Sequence, residues 1–295
     1  MTDWAGTGSA VASTEETLFV LASARNLYAD IAGLKTAIGI ASSVTTYDVL
    51  LSLYSDAASR RVEAVAHRRF YTVTDTRRFR ITRHSDRMPI DDLLSATAVT
   101  GDTDGDETYT ETWTAGTDYV FEPQHRFPKL EIRLHLDGDK TFGTDRNYLR
   151  IAGVFGFGDG LSATPWAATT LTGTVATTGG TLLAVNAAGL KAGQTIMIGT
   201  EQMQVTAVDG VNATVVRGVN GTTAATHAAA AISTAVYPAP VITATYALVG
   251  EMWNHRTMQG LRSVMAGNYQ EMAKDAMKDD VIARILGARL RRLDR

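Results

Sequence analysis

Between residues 167 and 238 the chain carries only four charged side chains, Lys191, Glu201, Asp209 and Arg217, against fifteen threonines. Short β-rich runs in this block (TLLAV, QTIMIG, EQMQVTAV and ATVVRGV) are separated by turns containing Gly or Asn. Strands repeating at roughly 8–12 residues predict a small barrel or sandwich. Ile196 with Ile198, and Met203 with Val205, alternate as inward-facing strand residues do, which separates the block from a disordered linker. Composition shifts at about residue 166, and a helical period follows Pro238 and Pro240. The block therefore reads as an inserted all-β domain, 166–238, within a discontinuous core of 27–165 and 239–295, preceded by an extension of 1–26.

Helical signals come first in the chain. Ser13-Thr14-Glu15-Glu16 matches a capping box ahead of Leu18, Phe19, Leu21 and Ala22. Asp30 is placed to cap a short helix in IAGLKTAIG, with Gly39 as its stop. A third helix fills YDVLLSLYSDAASRRVEAVAHRRFY, capped by Thr45 or Thr46. Leu50, Leu53, Tyr54, Ala57, Ala58, Val62, Val65 and Ala66 form its expected buried stripe. Arg60, Arg61, Arg68 and Arg69 fall mostly off that stripe, toward solvent or a partner.

The period then becomes two. FYTVTDTRRFRIT and LEIRLHL alternate, the second placing Leu130, Ile132, Leu134 and Leu136 on one face. DLLSATAVT, DYVFEP and NYLRIAGVFGFG are further strands, and GDTDGDETYTETWTAGTDY is a hairpin with an acidic tip. After Pro238 and Pro240 the helical period returns in VITATYALVGEMWNHRTM and again in DDVIARILGARLRRLDR. The fold class is α+β, with N-terminal helices, an antiparallel β core, C-terminal helices and the inserted barrel or sandwich.

Charge is segregated along the chain. Nine arginines lie between Arg60 and Arg87, and nine acidic residues with no Lys or Arg lie between Asp91 and Glu122. Two solvated surfaces are one reading. The other is a subunit whose positive face, Arg60, Arg61, Arg68 and Arg69, meets a neighbour's negative face, Asp102, Asp104 and Asp106. The net charge of −3 argues against a general nucleic-acid binder. No apolar run approaches the roughly 20 residues that span a bilayer, and no membrane partner is expected.

Catalytic patterns are not evident. There are no cysteines, which removes thiolate metal sites and cysteine nucleophiles. Asp102, Asp104 and Asp106 imitate the start of a calcium loop, but Glu107 and Trp113 stand where Gly and Glu are required. No two of the six histidines have the i, i+4 metal spacing, and no nucleophile elbow occurs. The glycines of GVFGFGDG lack phosphate-loop spacing and suit a tight bend or close backbone packing. Neither an enzyme, a cofactor nor a metal is expected.

The order of elements resembles the head-to-tail connector (adaptor, or head-completion) proteins of tailed bacteriophages. LYADIAGLKTAIGI resembles the family's opening, and TTYDVLLSLYSDAASRRVEAVAHRRFY its long helix. MPIDDLLSATAVT, DYVFEP and PKLEIRL resemble its next strands, LRIAGVFGFGD its last strand, and PAPVITATYALVGEMWNHR the helix that follows. The likeness covers roughly residues 27–160 and 238–260; the first 26 residues and the inserted domain depart from it. The insert resembles a β module recurring in phage structural proteins, through Arg217, Gly218, Gly221, Thr222 and His227.

This resemblance implies a structural virion protein of the neck, assembled in the host cytoplasm. It implies a homo-oligomeric ring, expected to be twelve-fold, that joins the portal protein to a downstream neck or tail protein and extends the DNA channel. Contact with packaged DNA is then proximity alone, and the insert is expected on the ring's outer surface. The apolar stripe Ile282, Ile285, Leu286, Leu290 and Leu293 has two readings, packing on its own domain or docking on the portal. The alternatives are another ring-forming component, such as a tail terminator or stopper, and a β domain that binds host glycan. The last is disfavoured because only Trp166, at the domain's edge, offers an indole platform.

Overall fold

The computed structural model describes residues 26–80, 86–102, 106–142, 147–256 and 279–292. The capping box at Ser13–Glu16, together with Asp104 and Leu293, lies outside the described residues. The described residues form four helices, an open antiparallel sheet and a closed barrel, an α+β architecture.

Helix α1 (Ile31–Ala37) starts where Asp30 Oδ1 accepts the Gly33 N–H at 2.8 Å, and the chain turns away through left-handed Gly39. Helix α2 (Asp48–Ala66) has no side-chain cap; Tyr47 occupies the cap position, and neither Thr45 nor Thr46 serves. His67 closes it in the left-handed conformation, φ 52°. The buried face of α2 is rotated from the expected stripe. Leu51, Ser52, Ser55, Ala58, Ser59, Val62 and Ala66 are buried, whereas Leu53 and Ala57 are exposed. Serine accounts for the rotation. Ser55 Oγ donates to Ala29 O, and Ser59 Oγ accepts from Tyr28 N. The incoming 27–30 segment is thereby bonded flat against the helix, where larger side chains would hold it off.

Strands β1 (Val73–Arg80), β2 (Arg87–Gly101), β3 (Glu111–Thr112), β4 (Tyr119–Glu122), β5 (Lys129–Leu134) and β6 (Asn147–Phe155) form the sheet. Their order is β1-β6-β2-β5-β4, with β3 paired to β2. One apolar cluster includes Phe79, Met88, Ile90, Trp113, Ile132 and Ile151. Strand β5 stops at Leu134, so Leu136 leaves the expected face and is 87 % exposed. The glycine-rich run does allow close backbone packing: a Cβ at Gly153 would strike Ser95 O, and one at Gly156 would strike Tyr71 O.

Strands β7 (Trp166–Val175), β8 (Leu182–Val185), β9 (Thr195–Ile198), β10 (Glu201–Asp209), β11 (Asn212–Val216) and β12 (His227–Ala235) close a barrel in the order β10-β11-β8-β7-β12-β9. Ile196, Ile198, Met203 and Val205 are fully buried within its core. The entry and exit strands are neighbours, Trp166 pairing with Ala235 and Val236 N donating to Pro165 O. The chain thus enters and leaves the barrel at one point, then runs into α3 (Ala239–His255) and α4 (Asp279–Leu290).

A buried polar seam joins barrel to core. Asn26 and Asn220 exchange two amide hydrogen bonds of 2.9 Å. Asn220 Nδ2 also donates to Gln202 Oε1 at 2.8 Å, and Gln202 Nε2 donates to Thr72 Oγ1 at 3.1 Å. Backbone bonds Thr74 N to Asn220 O and Ile31 N to Ala192 O add to it. β10 is therefore buried on both faces from Glu201 to Thr206, with Met203 and Val205 turned into the barrel and Gln202 and Gln204 on the opposite face. Gln202→Ala removes one of the two acceptors of the Asn220 amide and leaves the buried Thr72 hydroxyl without its donor, which costs about 1–3 kcal/mol per group stranded. Urea unfolding of the full chain should show a loss of that order, with the barrel strands intact by circular dichroism.

Candidate functional site

Among the described residues a cleft of about 740 Å³ lies between the C-terminal half of α2 and the sheet. α2 and the segment after it supply Arg60, Glu63, Arg68 and Arg69; β1 supplies Asp75 and Arg77; β2 supplies Asp91 and Asp92; Arg292 closes it. The two sequence blocks of opposite charge meet here and nearby within one chain. Arg77 Nη1 lies 2.9 Å from Asp91 Oδ2, and Arg78 Nη1 lies 3.0 Å from Glu107 Oε2. Arg68 Nε lies 3.7 Å from Asp92 Oδ2. The fold itself consumes much of the predicted pair of complementary surfaces, because β6 lies between β1 and β2 and holds the arginine-rich strand close to the acidic one.

The predicted interface residues have separate fates. Arg61 is exposed and pairs with Asp279 at 2.7 Å, and Arg69 is exposed. Arg60 binds Glu63 and the Asn26 carbonyl, and its guanidinium lies over the Tyr28 and Tyr71 rings. Arg68 points inward, its side chain only 7 % exposed, with its guanidinium over Phe157. Asp102 is also buried, accepting the Glu107 N–H, so it serves its own turn and drops out of any surface patch. Asp106 is exposed and holds Thr108. Burial pushes the Asp92 carboxyl up against the opposing pull of Arg68 and Arg292, while the Arg77 hydrogen bond holds Asp75 down.

The stripe on α4 is spent inside the chain. Ile282, Leu286 and Leu290 are buried among α2 and α3 residues, and Ile285 packs against the same cluster. Arg292 N donates to Ala66 O and its guanidinium to Ile90 O, latching the segment down. These residues therefore pack in the chain's own core, the first of the two readings of the stripe.

A second ionic cluster sits in the barrel, where Glu201 is fully buried at the start of β10. Arg217 grips its carboxylate with Nε at 2.6 Å and Nη2 at 2.7 Å. Gly218 N and Ala225 N donate at 3.0 Å each, and His227 Nε2 lies at 2.8 Å. Arg217 also donates to the carbonyls of Thr177, Gly180 and Ala225. Burial pushes the Glu201 carboxyl up, but the donors from Arg217, Ala225, His227 and Gly218 outweigh it and hold it down, to about 2. With five donors aimed at two oxygens, the carboxylate has no capacity left for acid–base work. It is a clasp that closes the 217–227 loop.

All five residues of the recurring β-module pattern act at this clasp or the adjoining seam. Arg217 and His227 hold Glu201, and Gly218 adopts φ 57° so that its N–H can reach it. Thr222 Oγ1 accepts from Gln202 N and donates to Val219 O. Gly221 lies so close to Thr74 O that no Cβ fits. Glu201 itself escapes the sequence reading. Its signal is that the charge-poor block holds so few partners for Arg217.

Among the described residues no group of three His, Asp or Glu side chains is placed to hold a metal, and no helix is long and apolar enough to cross a membrane. Comparison with known proteins finds no matching family model, curated protein or solved structure.

Two outcomes follow from the clasp. Glu201→Ala strands a buried Arg217 and should cost about 3–5 kcal/mol, read from urea midpoints. The pH dependence has a definite sign. The carboxyl's pKa falls from 4.5 to about 2 on folding, so its stabilisation is complete above 4.5 and is lost as pH drops through 2. Glu201→Gln should flatten that part of the stability–pH curve.

Proposed function

We propose that this chain is a non-catalytic structural subunit of a tailed-phage neck, forming a ring below the portal that joins capsid to tail and extends the DNA channel. The observation that carries the reading is the arrangement of the segments resembling the connector family. Separated in sequence by the barrel, they fold into one α+β unit of helices and sheet. The chain enters and leaves the barrel at one paired base, as an addition to a complete scaffold does, and the polar seam docks the barrel on that unit. Two charged features are consistent with a mechanical role. The Glu201 cluster is saturated with hydrogen bonds, and the cleft is a lattice of ion pairs between elements.

Electron microscopy of the chain mixed with the portal protein of the same genome tests the proposal. A ring stacked coaxially on the portal is the expected result. A bare portal beside monomeric chain would overturn the assignment to this position and favour a terminator or stopper further down the neck.

A further inference from the structure

We infer that the arginine cleft is the receiving half of a contact between copies of this chain, and that its occupant is the Leu136–Asp139 turn of a second copy. The inference deepens the ring reading and depends on it only for closure of the assembly.

The cleft has charge to spare. Arg77 contacts both Asp75 and Asp91, and Arg60 contacts Glu63. That leaves Asp92 between Arg68 at 3.7 Å and Arg292 at 4.0 Å, neither distance a hydrogen bond. Arg68 Nε is buried with no hydrogen-bond partner, a state that folded proteins seldom leave unanswered. Arg69 is exposed at the rim, where its charge acts on Glu63 and Asp75 from a distance. Five arginines, Arg60, Arg68, Arg69, Arg77 and Arg292, thus line the cleft against four carboxylates, and an incoming carboxylate meets the surplus. Four acidic residues line the same cleft, so a long polyanion such as DNA is repelled. A short acidic knob is not. Tyr71, Val73 and Phe155 supply an apolar wall beside the charges.

Such a knob exists on the same chain. Beyond β5 the backbone folds into a tight turn fixed by His135 N to Asp118 O and Gly138 N to His135 O. At 87 %, Leu136 is the most exposed large apolar side chain among the described residues. Asp137 and Asp139 flank it, both exposed, and neither carboxylate accepts a hydrogen bond from a described residue. The turn is therefore preformed, acidic and tipped with leucine.

Placement decides how the two halves meet. In the order β1-β6-β2-β5-β4 the cleft draws on β1, β6 and Asp91 and Asp92 of β2, and the turn leaves β5 beside the edge strand β4. Hole and knob are different patches of one chain, so their contact is head-to-tail and propagates until it closes into a ring or runs on as a filament.

The absence of cysteine makes the test direct. Ala64, at the cleft, and Leu136 are both exposed, so Ala64→Cys and Leu136→Cys leave the core alone. On mild oxidation the double variant should give a ladder of disulfide-linked oligomers, while each single variant stops at dimers. Adding Arg69→Glu should abolish the ladder, and adding Asp137→Lys with Asp139→Lys to that variant should restore it. Rings seen by microscopy without a ladder would overturn this contact and leave the ring reading standing. A ladder that never closes would sustain the contact and overturn the ring. A chain that stays monomeric, uncrosslinked and unassembled, would overturn both.

Discussion

The carboxylate of Glu201 is the point on which the barrel depends. A fully buried charge is tolerated only when every acceptor site is filled, and here five donors fill them. Those donors come from the loop after β11 and from the start of β12, so one side chain on β10 draws together three parts of a domain otherwise held by aliphatic residues. Because the loop is fixed, Asn220 and Gly221 are presented to the core in one conformation. The seam with Asn26, Gln202 and Thr72 then follows.

Amides and hydroxyls rather than apolar side chains supply the specific contacts of that seam. A polar junction with every partner met is directional, since a small rotation breaks several bonds together. The barrel is thus set at a definite angle on the core. The same device recurs in α2, where Ser55 and Ser59 bond the backbone of the 27–30 segment. In both places a residue that pattern reading counts as polar, and therefore outward, is buried because a backbone or amide group lies opposite.

Charge in the core follows a comparable logic. Arginines of β1 and acids of β2 lie apart in sequence but only one strand apart in the sheet, and they neutralise one another there. Neutralisation is incomplete at Arg68, Arg69 and Asp92. The proposed contact between copies rests on this remainder rather than on the large blocks of like charge.

The sequence by itself determined the kinds of elements and their order. Period 3.6 gave way to period 2 and back, Asp30 and Gly39 bounded α1, and alternation at Ile196, Ile198, Met203 and Val205 marked the barrel interior. β7 and β12 were not legible, because runs rich in Ala and Thr carry little alternation and Ala is a poor strand former. Only the tertiary structure decided which face of α2 is buried, that α4 is spent in the chain's own core, and that Asp102 and Arg68 point inward. It also decided that Glu201, Arg217 and His227 belong together. Each of these is a choice of partner across long sequence separations, and partner choice depends on which groups desolvate one another in three dimensions, a quantity that local spacing does not contain.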